Sequence, residues 1–148
     1  MTVKRILLPV ILLIAFSGAV HAQKDRKIDL GELPEKAQAF IQKNFSKEKV
    51  RYILKETEDR LDLEYKVAFL DKIKIKFDKK GDWKEVDGHR KPIPTRFIPE
   101  KILAYIKKSF PNNEVVKIEK ERKSYEVEIS NGLELEFDAK GNFIKIDS

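Results

Sequence analysis

The sequence predicts an α+β fold of two tandem modules, each one helix packed on a four-stranded antiparallel sheet. Three observations predict it. The chain repeats itself: Phe77-Asp78-Lys79-Lys80-Gly81-Asp82-Trp83 returns 60 residues later as Phe137-Asp138-Ala139-Lys140-Gly141-Asn142-Phe143. Upstream, the segment from Pro34-Glu35-Lys36-Ala37 to Phe45 returns 65 residues later as Pro99-Glu100-Lys101-Ile102 to Phe110. In both copies apolar residues fall first at helical spacing and then at period two.

The elements follow in order. Residues 1–22 read as a signal peptide: basic Lys4 and Arg5, an uncharged and mostly apolar run from Ile6 to Phe16, and Val20-His21-Ala22 before Gln23. Cleavage is expected between Ala22 and Gln23, because the apolar run is short of the ~20 residues a membrane span needs. Residues 23–33 form a polar lead-in.

The first module spans 34–87. Pro34 opens its helix at the turn where a missing N–H costs nothing. Ala37, Phe40, Ile41 and Phe45 make the apolar face. Val50 to Lys55 reads as a strand. Leu61 to Phe69 and Lys72 to Phe77 alternate apolar with polar residues, as strands with one wet face do. Leu70-Asp71-Lys72 turns between them, and Lys80-Gly81-Asp82 turns into Trp83 to Val86.

Residues 88–94, with Gly88, Pro92 and Pro94, read as a short linker. The second module, 95–148, repeats each element. Asn131-Gly132 supplies the positive φ angles that a two-residue hairpin turn requires.

Composition bounds the function. With no Cys, the exported chain has no disulfide, thiol nucleophile or thiolate metal site. The net charge of +6 does not point to nucleic acid, since Asp and Glu are interleaved almost everywhere and the chain is exported. The excess sits early: residues 23–91 carry 19 basic and 15 acidic side chains, residues 92–148 carry 10 of each.

Four features carry a family resemblance: the Leu33-Pro34 helix opening, the Tyr-x-Val-x-(Phe/Ile) strands at Tyr65 and Tyr125, the Asn131-Gly132 hairpin, and the repeated Phe-Asp-x-Lys-Gly-(Asp/Asn)-(Trp/Phe) segment. Together they resemble the PepSY-like, β-lactamase-inhibitor-like family of secreted bacterial proteins over residues 33–148. The first copy departs from the pattern at Leu70-Asp71-Lys72. The resemblance implies tandem helix-plus-sheet modules similar to proteinaceous β-lactamase inhibitors, whose concave sheet grips an enzyme. It does not imply that this chain inhibits one, and no residue here matches an inhibitory contact.

Catalytic chemistry finds little to work with. His89, the one histidine after the leader, stands in the linker beside Arg90 and Lys91 and reads as exposed. One His without Cys makes no common zinc site. Asp78 and Asp138 precede glycine turns and read as turn caps, since the remaining ligands of a calcium loop are absent. Trp83 and Phe143 read as core plugs.

The outward side chains of the central hairpins differ in sign. The first copy presents Lys66, Lys72, Lys74 and Lys76, with Glu64, and the second Glu126, Glu128, Glu134 and Glu136. Such a face would orient a complementary protein. The expectation is a non-enzymatic periplasmic or secreted protein-binding module. Lys66, Lys74, Lys76, Glu126, Glu128, Glu134 and Glu136 form its contact surface and an unidentified envelope or secreted protein is its partner. No cofactor, metal, nucleic acid or stable membrane span is expected. A periplasmic small-ligand carrier or sensor is the alternative, and it needs an apolar cavity between helix and sheet.

Overall fold

A computed structural model describes residues 25–57 and 62–147. The expected signal peptide, its cleavage between Ala22 and Gln23, and Leu61 lie outside them. The elements run β1 (Arg26–Lys27), a 3-10 turn (Leu30–Glu32), α1 (Glu35–Asn44), β2 (Val50–Thr57), β3 (Leu63–Phe69), β4 (Lys74–Asp78), β5 (Trp83–Asp87), α2 (Glu100–Ser109), β6 (Val115–Lys120), β7 (Ser124–Ile129), β8 (Glu134–Asp138) and β9 (Phe143–Asp147).

All nine strands join one antiparallel sheet, in the order β1 to β9. This corrects the expected two modules, each with its own four-stranded sheet. The correction lies at β5 and β6, which pair through Glu85↔Glu119, Val86↔Ile118 and Asp87↔Lys117. An unpaired β5 would leave backbone N–H and C=O groups open and Val86 wet. Pairing brings Val86 and Ile118 to 0% exposure.

The segment 88–94 is built into this seam. The Gly88 and Ile93 amides donate to the carbonyls of Val116 and Val115 at 2.8 and 3.0 Å, and Ile93 is buried. A second departure is β1, which forms inside the expected lead-in and pairs Arg26 with Lys55.

Both helices lie on one face of the sheet. Ala37 and Ile41 of α1 and Ile102 and Ile106 of α2 are buried against it. The sheet offers Val67, Ile75 and Phe77 in one half and Val127, Leu135 and Phe137 in the other, all at 0% exposure. Aromatic rings lock each helix down. Phe40 meets Phe77 edge-on at 5.7 Å, and Tyr105 meets Phe137 edge-on at 5.6 Å.

The turns after β4 and β8 dock under the first turns of the helices. Gly81 has φ +85°, and a Cβ there would lie 2.7 Å from the Pro34 Cβ. Asp78 and Asp138 each use Oδ1 to accept two turn amides, at 2.8–3.0 Å. They cap turns. Phe143 stacks on Tyr105 at 4.4 Å, and Trp83 packs against Phe97 at 5.1 Å.

Candidate protein-binding face

Side chains alternate along each strand, so burial of Val67, Ile75, Val127 and Leu135 under the helices sends their neighbours to the opposite, open face. The strand registers order that face into rows. One row runs Leu54–Lys66–Lys76–Glu85–Glu119–Glu126–Glu136–Lys145. The next runs Ala68–Lys74–Asp87–Lys117–Glu128–Glu134–Asp147. All seven expected contact residues stand in these two rows. Lys72 does not: it occupies the β3–β4 turn with φ 78°.

The rows show an asymmetry that the sequence did not disclose. Most of the basic end is engaged. Lys66 Nζ donates to Glu56 Oε1 at 2.6 Å and Lys76 Nζ to Glu85 Oε2 at 2.9 Å. Burial alone would lower the pKa of Lys76, but the hydrogen bond and charge of Glu85 outweigh it and raise it. Lys84, hydrogen-bonded to Glu64 at 2.6 Å, is also shifted upward by that bond.

At the acidic end, Glu85, Glu119, Glu126 and Glu136 stand directly opposite one another across four neighbouring strands. Strands about 4.8 Å apart bring these carboxylates within easy Coulomb range. Partial burial, then the charge of Glu85, push the Glu119 carboxyl above its ordinary value. Lys145 lies 3.4 Å from Glu136, and Lys117 lies 3.9 Å from Glu119. Among the described residues, Glu126, Glu128 and Glu134 have no ion-pair partner.

Sequence reasoning missed Glu85 and Glu119, the middle of this ladder. Their alternation with Val86 and Ile118 was visible, but their apposition needs the β5–β6 seam.

The other candidates bring no reactive group together. His89 is exposed, and its amide donates to Asp87 Oδ1 at 2.7 Å. Among the described residues, no group of three or more His, Asp or Glu side chains is placed to hold a metal ion. No described helix is long and apolar enough to cross a membrane. An open cleft of about 800 Å³, lined by residues of both charges around Leu63 and Trp83, lies at one end of the sheet and not between helix and sheet.

Comparison with known proteins agrees with this architecture. The profile of a family described as "Putative beta-lactamase-inhibitor-like, PepSY-like" matches residues 19–61 and 63–145. A "putative calcium-regulated periplasmic protein" from Bacteroides thetaiotaomicron is 42% identical, with a TM-score of 0.80 over 84% of this chain and 97% of its own. A "putative periplasmic protein" of the DUF2874 family from Bacteroides vulgatus is 38% identical, with a TM-score of 0.81 over 86% of this chain and 99% of its own. Another "putative periplasmic protein of unknown function" from Bacteroides vulgatus is 39% identical, with a TM-score of 0.79 over 84% and 100%. No curated protein matches the chain.

Proposed function

This chain belongs to the PepSY-like family and is a periplasmic bacterial protein, and from that premise we propose that it is a non-enzymatic protein-binding module. Its contact surface is the acid-rich half of the open sheet face, and its partner presents a cationic surface.

The observation that carries this reading is the run of opposed glutamates. Like charges directly opposite in a sheet destabilise it. Here four stand in one row, with Glu128 and Glu134 opposed in the next. The fold bears that cost on the open face of its sheet. A partner carrying Lys or Arg would offset it and gain orientation and a faster encounter. The basic end lies outside this surface, and its Lys66 and Lys76 hold neighbouring acids in place.

Inhibition of an enzyme is one form such binding could take, and the family's inhibitor-like description is compatible with it. Calcium regulation is named only in the description of the Bacteroides thetaiotaomicron relative, and among the described residues of this chain no three acids are grouped as a metal site. The carrier alternative would have to use the open recess of about 220 Å³ beside α2, lined by Ile93, Leu103, Ile106 and Val115, since Phe77 and Phe137 fill the space beneath the helices.

The test is capture from periplasmic extract with wild type and a Glu126→Lys/Glu128→Lys/Glu134→Lys variant. Wild type retains a partner that the variant loses, and Lys74→Glu, which adds acid to the face, does not lose it. Identical partner lists from wild type and the triple variant contradict the proposal.

A further inference from the structure

The strand β9 ends the sheet with one edge on β8, and among the described residues no strand pairs with its other edge. The internal seam shows what such an edge accepts. In the N-terminal half the same structural position is β5: Val86 faces Ile75 as Ile146 faces Leu135, and both strands carry an irregularity after their first pair. Val86 is 0% exposed because β6 lies against it, whereas Ile146 is 44% exposed and Ile144 51%. At the seam, Ile118 meets Val86 and Lys117 meets Asp87. The edge of β9 is thus a half-made seam, lacking a strand that brings an apolar residue to Ile146 and a lysine across to Asp147, whose carboxylate now accepts a hydrogen bond from Lys145 of its own strand at 2.7 Å.

The sequence Lys145-Ile146-Asp147 is that strand when reversed. We propose that a second copy of this chain docks edge to edge, with β9 antiparallel to β9 about a two-fold axis at Ile146. Ile146 then meets Ile146 of the second copy, and each Lys145 meets the other copy's Asp147. The two sheets become one continuous sheet, with the helices of both copies on the same side. Two-fold symmetry makes one patch serve both subunits.

Charge selects this register. Sliding the pairing to centre on Lys145 would set two lysines directly opposite, which disfavours it. The contact is small, since a five-residue strand spans about 17 Å, so the dimer belongs to the weak class, with a dissociation constant on the order of 10–1000 μM.

Sedimentation velocity of the exported chain from about 10 μM to 1 mM, at physiological salt where long-range charge is screened within about 8 Å, tests this. Wild type shows a monomer–dimer equilibrium. Lys145→Asp alone sets acid against acid, and Asp147→Lys alone sets base against base, so each weakens self-association at least tenfold. An equimolar mixture of the two variants restores complementary pairs and sediments as a dimer, which also shows that both are folded. A wild type that stays monomeric at 1 mM overturns the proposal and leaves the edge to another occupant. So does a dimer that neither variant weakens, or a mixture that fails to recover association.

Discussion

Val86 lies directly opposite Ile118 across the β5–β6 seam, and neither side chain retains any exposure. The contact should make one cooperative unit of two halves that look separable in sequence. Ile118→Ala should therefore cost about 2–5 kcal/mol, the range for truncating a buried isoleucine. Urea unfolding followed by Trp83 fluorescence and by far-ultraviolet circular dichroism should give one coincident transition, shifted as a whole. Two transitions, with only one affected, would show that the halves unfold independently.

The two glycine turns separate backbone freedom from packing. Gly81 and Gly132 have φ of +85° and +87°, but only Gly81 abuts a neighbour, with a Cβ position 2.7 Å from Pro34 and 3.0 Å from the Ala37 amide nitrogen. Gly132→Ala should cost about 1 kcal/mol for the left-handed backbone alone. Gly81→Ala should cost about 2–4 kcal/mol, since α1 must also move. Equal losses in chemical denaturation would contradict the docking of this turn under α1.

These turns also mark how far the sequence could be read. Both helices, the hairpin strands and the Asp78 and Asp138 caps were legible because their signals are local: spacing, alternation and glycine. The aromatic anchors Phe77 and Phe137 were legible for the same reason. The β5–β6 seam was not, because periodicity states which face of Val86 is buried but not what covers its strand edge. The candidate face divided in the same way. The strand positions of Glu126 and Glu134 followed from alternation, whereas the engagement of Lys66 by Glu56 and the apposition of Glu85 to Glu119 required the register. The strand β1 escaped notice because two polar residues, Arg26 and Lys27, carry no alternation to detect.

The acid ladder has a pH signature. The carboxyl of Glu119 titrates higher in the folded protein than its ordinary value, through burial and the charge of Glu85. Protonated Glu119 therefore favours folding: this contribution is full below the ordinary pKa near 4.5 and is lost as pH rises through the folded value. Glu119→Gln removes the charge, so at pH 7 it should stabilise the protein by about 0.2–1 kcal/mol, the scale of one directly opposed like-charge pair. The gain should vanish as pH falls below that ordinary value. A variant less stable than wild type at pH 7 would mean that attraction to Lys117 outweighs the repulsion.

The description of the Bacteroides thetaiotaomicron relative makes calcium a direct test of the acids on this chain. A calcium site of the weak extracellular kind binds with a dissociation constant of about 10⁻⁴–10⁻³ M. At about 2 mM calcium it would stabilise the fold by roughly 0.6–1.8 kcal/mol, or about 2–8 °C in melting temperature. With no three described acids grouped for a metal, the melting temperature should change by less than about 1 °C. A larger shift, absent with magnesium, would reveal a site that these residues do not form.

Photo-crosslinking in the native envelope tests the binding claim most directly. A photoreactive residue at position 128 lies in the acid-rich half of the open face, and one at position 43 lies on the exposed side of α1. The account predicts a discrete adduct from position 128, absent from position 43 and abolished when Glu126 and Glu134 are both changed to Lys. Adducts of equal yield from both positions, or none from position 128, would contradict it.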